Sequence, residues 1–119
     1  MAFISAVDLL YENTDITASY GAKTISTFEE GRSPGDYDGV IIFYNSNATA
    51  GSDGRRGNSI YVPIGEDGNL FRFVSTSGTQ NARPVTVNAS SIYFGSCHAG
   101  SSTTSNGSCI PTHVYGVSF

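Results

Sequence analysis

The chain has 119 residues, of which 39% are hydrophobic, 12% aromatic and only 13% charged, with 14 glycines, 17 serines, 11 threonines and 8 asparagines. That length fits one domain, 1–119, and leaves no room for a second core; the composition excludes Lys/Glu-rich helical bundles, and the spread of aromatics excludes a disordered chain. Six Lys/Arg against ten Asp/Glu give a net charge of −4, which speaks against a nucleic-acid partner, because such binding rests on clustered cations.

The start, Met1 to Asp8, has no basic segment before its apolar residues, so no secretory signal is expected and the chain is expected to be made in a cytosol. The longest apolar run, Val40-Ile41-Ile42-Phe43-Tyr44, falls far short of the roughly 20 residues of a membrane helix, so no membrane insertion is expected. Apolar residues recur with period two: Phe3, Val7, Leu9 and Tyr11; Ile60, Val62 and Ile64; Val85 and Val87; Tyr115, Val117 and Phe119. Period two in β-branched and aromatic residues is the strand signal. It predicts strands over 3–10, 14–19, 22–28, 38–44, 59–64, 70–75, 84–88, 91–96 and 113–118. Val40–Tyr44 is apolar on both faces, which predicts a central strand covered on both sides. Ser33-Pro34-Gly35-Asp36 breaks the chain before it, Asp67-Gly68 reads as a hairpin turn, and Asn88-Ala89-Ser90 as a second reversal. The fold class is all-β: a single antiparallel β-sandwich or small jelly roll of about 8 strands.

The connections alternate. Residues 45–58, 76–83 and 97–112 are long and rich in Gly, Ser, Asn and Thr, whereas 65–69 and 89–90 are tight. If each strand spans the sandwich, the long connections share one rim, the arrangement of sandwiches that bind with loops; the alternative is that they are tolerated insertions of little entropic cost. The rim would gather Asn47, Arg55, Arg56, Asn58, Gln80, Asn81, Arg83, His98 and Asn106, with Asp53 as its one acid, and so would be electropositive relative to the rest. Arg55-Arg56 is the single adjacent basic pair; it is open to solvation, to a subunit contact, or to bidentate binding of a carboxylate or phosphate.

No enzyme signature stands out. Glu29-Glu30 and the Asp36, Asp38 pair lie in turn-like sequence, where acids bond their own backbone. His98 and His113 come without a nucleophile elbow, and His113, taken as the start of the last strand, reads as a packing or edge-capping residue. Cys97 and Cys109 bracket a flexible segment and suggest a disulfide, or a reduced pair close enough to form one; unrelated thiols remain the alternative. A zinc site from Cys97, His98, Cys109 and His113 lacks the usual ligand spacing, and the Asp53 and Asp67 loops lack the acidic calcium pattern, so no metal and no cofactor are expected.

Gly35-Asp36-Tyr37-Asp38-Gly39-Val40-Ile41-Ile42-Phe43-Tyr44 resembles the Y-D-x-I-x-I-x-Y central strand of small β-domains in tailed-phage structural proteins. Gly57 to Ile64, Phe71 to Ser75, Ser91 to Gly95 and Thr112 to Val117 resemble the strands that follow it in those domains. The likeness begins near residue 35, runs to the end and carries no catalytic residue. It implies a bacteriophage virion protein, of a tail fibre, tail tip or head appendage, that displays loops for host attachment. The alternatives are a capsid or tail decoration protein of purely structural role, and a carbohydrate-binding module in which Tyr61 or Tyr115 lines a groove on a sheet face. The expected partners are further copies of the chain as a homo-oligomer, other virion proteins and a host-surface glycan, with the protein located in the virion.

Overall fold

The computed structural model describes residues 4–74, 78–100 and 103–119. Its strands are β1 (Ala6–Glu12), β2 (Lys23–Ile25), β3 (Gly39–Asn47), β4 (Ser59–Pro63), β5 (Asp67–Val74), β6 (Thr79–Val87), β7 (Ile92–Phe94), β8 (His98–Ala99), β9 (Thr103–Thr104) and β10 (Ser108–Ser118). They form two antiparallel sheets, so the fold is an all-β sandwich. The first sheet has the order β1-β10-β3-β4; in the second, β6 pairs with β5 along one edge and with β7 and β8 along the other, while β2 extends from β7 and β9 from β8. Eight strands of three residues or more, plus the two-residue ribbon of β8 and β9, match the expected number.

The core lies between the sheets and follows the period-two pattern. Val40, Ile42, Val62, Ile110 and Val114 face Leu70, Val85, Val87, Ile92 and Phe94, all essentially inaccessible, with Tyr20 and Phe28 closing the sides. Each such aliphatic or aromatic side chain contributes about 1.5–3 kcal/mol on burial. A bulge between Leu9 and Tyr11 turns both Leu10 and Tyr11 inward against β10.

Several expectations are corrected. Residues 14–19 form no strand, because short side chains capture the backbone instead: Asn13 Oδ1 accepts from the Asp15 N–H at 3.1 Å and Asp15 Oδ1 from the Thr17 N–H at 3.1 Å. The strand predicted over 22–28 shrinks to β2, and Phe28 folds inward as a lid on the core. Asp67-Gly68 makes no hairpin: β4 and β5 belong to different sheets, and the turn falls at Gly65, whose φ of +89° favours glycine. Asp67 instead takes the Thr86 hydroxyl at 2.8 Å across β5 and β6.

The last strand begins at Ser108 rather than 113, since Ser108–Pro111 pairs with the end of β3 and a register shift after Pro111 accommodates the missing N–H. The 76–83 connection is largely strand: β6 starts at Thr79, and residues 75–77 lie outside those described, as do residues 1–3 and, within the 97–112 connection, residues 101 and 102. Nor is β3 covered on both faces: Val40, Ile42 and Tyr44 are buried, but Phe43 is 40% exposed and Ile41 half-buried on the outer side.

Candidate functional site

The long connections do share one end. The Ala48 N–H donates to the Gly107 carbonyl at 2.9 Å, joining the β3–β4 connection to the one before β10, and the Gly100 N–H donates to the Gln80 carbonyl at 3.1 Å, joining that one to the β5–β6 hairpin. The opposite end is closed by tight turns, with Gly65 N–H on Val87 O at 2.7 Å and Gly35 N–H on Ala89 O at 2.8 Å. Ser33 and Asp36 cap the short 3₁₀ turn there, Ser33 N–H donating to Asp36 Oδ2 at 3.0 Å, as the sequence suggested for that acid, whereas Asp38 Oδ2 accepts from the distant Phe119 N–H at 2.8 Å.

The rim residues divide. Arg55, Arg56, Gln80 and His98 are exposed at this end. Arg56 lies 3.7 Å from Asp53. The asparagines build the loops: Asn47 accepts from Thr49 N–H at 3.2 Å, Asn58 donates to the Gly54 carbonyl, and Asn106 accepts from Cys97 N–H at 2.9 Å. Asn81 and Arg83 are not on the rim surface. They are 4% and 0% exposed, because they share the inward parity of Val85 and Val87 along β6. That parity was readable in the sequence and was overridden by the expectation of a loop.

Charge is nonetheless polarised along the sandwich. Arg55, Arg56, Arg72 and Arg83 lie in the loop-end half with three acids, Glu12, Asp15 and Asp53, a balance of +1. Asp8, Glu29, Glu30, Asp36, Asp38, Glu66 and Asp67 lie in the turn-end half with Lys23 and Arg32, a balance of −5, which completes the chain's −4.

Beneath the rim sits a buried polar cluster. Among the described residues the Arg83 guanidinium has no carboxylate partner; it donates from Nε to Cys109 O at 2.8 Å, from Nη1 to Gly95 O at 2.8 Å, and from Nη2 to Ser108 O at 3.1 Å and Asn106 O at 3.4 Å. The Tyr20 ring lies 5.3 Å from it. Cys97 and Cys109 are unbonded, wholly buried and hydrogen-bonded to one another beside this cation. The Cys109 thiol's hydrogen bond, with Arg83 and Arg72 assisting against burial, draws Cys97 down to about 7, whereas the same hydrogen bond and burial push Cys109 up. Burial also lowers the Arg83 pKa. Two adjacent thiols with one easily ionised can close a disulfide with each other, but both are wholly buried and meet an external thiol only when the fold opens. His98 and His113 stay apart from them, one exposed and the other on the outer sheet face 3.4 Å from Glu12, and no metal-binding group of three acids, histidines or cysteines occurs among the described residues.

His113 is not at a strand start but midway along β10, stacked on Tyr115 with ring centres 6.2 Å apart. Together with Phe43, Ile41, Val7 and the overhanging Arg55, these rings line a groove of about 380 Å³ on the outer face of the first sheet. Phe43 meets Tyr115 edge to face at 5.8 Å and 84°, so the pair offers a cleft and not a flat sugar platform. Tyr61 lies beyond it, its ring over Gly39 and 5.8 Å from Phe119.

The chain matches no protein-family model, no curated protein and no solved structure. The rim, the thiol cluster and the open sheet face are the candidate functional features of the chain. The sequence signal for the last was the apolar residue at every second outward position of β3, β4 and β10.

Proposed function

We propose that this chain is a structural protein of a bacteriophage particle, a β-sandwich of a tail fibre, tail tip or surface appendage that presents its loop end to the host. The observation that carries the reading is the gathering of the long Gly/Ser/Asn/Thr connections, with exposed Arg55, Arg56 and His98, at one end of a rigid sandwich, opposite an acidic end closed by tight turns. The order of strand segments from residue 35 onward, which resembles tailed-phage β-domains, supplies the particle context. Such an end suits an anionic host-surface glycan, held by weak contacts repeated around a symmetric particle and screened by salt beyond about 8–10 Å. The open apolar face of the first sheet favours a second reading within the same class, a head or tail decoration protein whose role is contact with its neighbours.

Gold labelling of intact particles with an antibody to the chain tests both. Label on the adsorption apparatus, together with purified protein that delays adsorption less as salt rises, supports attachment. Label along the head or tail shaft supports decoration, and particles that carry no copy of the chain overturn the proposal.

A further inference from the structure

The outer face of the first sheet is largely apolar on all four strands, with Glu12, His113 and Ser59 as its polar residues towards the loop end. Ile41 on β3 stands opposite Tyr115 on β10 and Tyr61 on β4, Phe43 and Val7 flank that row, and Phe119 extends it beside Tyr61. Val7, Phe43, Tyr61 and Phe119 are 51%, 40%, 42% and 52% exposed. A solvated antiparallel face alternates apolar-in with polar-out, and this chain has polar residues in abundance but spends them on its turns and loops. The second sheet differs: its exposed aromatics, Phe71, Phe73 and Tyr93, share their face with Asp67, Thr86 and Gln80.

We infer that this face is covered by a second copy of the chain, packed sheet on sheet about a two-fold axis that lies between the sheets and across the strands, so that the loop end of each copy rests over the turn end of the other. Charge chooses both the occupant and the orientation. The two halves of the sandwich behind this face carry unequal charge, +1 and −5, and complement one another when a copy is inverted. The other two-fold arrangement, with the axis along the strands, would stack cationic end on cationic end and seven acids on seven acids, which is repulsive. Arg55, which overhangs the groove without an ion-pair partner among the described residues, would then reach towards the acidic half of its neighbour. Four strands about 4.8 Å apart and six or seven residues at about 3.3 Å each give roughly 400 Å² of sheet plane per copy before side-chain relief, about half the usual area per partner, so the association is a weak one.

Sedimentation equilibrium of the purified full chain from low to high micromolar concentration reads the result. The expected outcome is a dimer that Phe43→Glu and, separately, Tyr61→Lys convert to monomer with the thermal transition retained, that Phe73→Glu leaves intact, and that Arg55→Glu weakens about tenfold. Orientation is read by cysteine linking. In the inferred dimer β4 lies over β4 of the second copy running the opposite way, so chains with Ser59→Cys link to chains with Pro63→Cys in a mixture and neither links to itself. A monomer throughout the range, a dimer lost on Phe73→Glu but not on Phe43→Glu, or self-linking of the Ser59→Cys chain overturns the inference. Each of these outcomes is independent of whether the chain belongs to a particle.

Discussion

Arg83 holds the carbonyl of Cys109 at 2.8 Å, and Cys109 offers that carbonyl from a left-handed backbone, φ +52°. In a regular strand successive carbonyls point opposite ways; the left-handed residue lets those of Ser108 and Cys109 both turn onto one guanidinium. Backbone strain at a non-glycine residue costs on the order of 1–3 kcal/mol and persists where surrounding contacts over-determine it. Here the buried fork of Arg83 does so, tying β6 to the start of β10 and to the carbonyls of Gly95 and Asn106.

Arg83→Met should therefore destabilise the protein by about 3–5 kcal/mol, because four carbonyls lose their donor in a dry site. Arg83→Lys should recover less than half of that, since an ammonium cannot span the same acceptors as a planar fork. Urea unfolding of the three proteins measures both; a cost below about 1 kcal/mol for Arg83→Met would show that the carbonyls find water instead.

Oxidation should close the Cys97–Cys109 pair. With oxidised glutathione, the two thiols transfer two electrons and two protons to the small disulfide, which leaves as two reduced glutathiones, and the intact chain becomes lighter by two hydrogens. The bond closes a short loop and should stabilise the fold by about 2–3 kcal/mol, read as a rise in the urea midpoint that Cys97→Ser abolishes. A stable mixed disulfide with glutathione in place of the internal bond would count against the pairing.

The thiol pair also sets a pH dependence. Cys97 ionises near 7 in the folded chain against about 9 ordinarily, so its contribution to stability grows as pH rises from 7 to 9 and is lost as pH falls back through 7. Cys109, pushed the other way, opposes further gain only above its ordinary value of 9. Ultraviolet titration of thiolate in the native protein should show a transition near pH 7 that vanishes in Cys97→Ser and moves up in Cys109→Ala, which removes the hydrogen bond holding the anion.

Most of the fold was legible from period two alone, because nearly every core residue from Val40 to Val114 obeys it, adjacent Cys109 and Ile110 being the exception. Two of the misreadings share one physical cause. Gly, Ser, Asn and Thr serve loops, bulges and strand ends alike, so Thr79–Arg83 and Ser108–Thr112 read as loop although each is paired with a neighbour. That one error placed Arg83 on a surface rim instead of in the core, whereas the gathering of the long connections at one end was correctly inferred from their alternation. The apolar outer face of the first sheet was visible as Val40–Tyr44, whose outward residues Ile41 and Phe43 stay partly exposed where a second cover was expected.

Two glycines, one under an aromatic ring and one in open space, give the sharpest test of the packing. Gly116 on β10 lies beneath the ring of Tyr37, and a Cβ there would overlap the ring, whereas one at Gly107 would meet nothing within 4 Å. The Tyr37 hydroxyl donates to Asp8 at 2.8 Å, and burial, followed by that hydrogen bond, pushes the phenol up to about 12. Gly116→Ala must lift the ring, at a cost of about 1–3 kcal/mol for overpacking, and should pull the hydroxyl off Asp8, so the phenol returns towards its ordinary value near 10. Gly107→Ala, at ordinary φ and in open space, should be neutral or stabilising by about 0.4–1 kcal/mol through the unfolded state. Thermal unfolding and tyrosinate absorbance read the two effects separately, and equal stability of the two variants would contradict the placement of Tyr37 over β10.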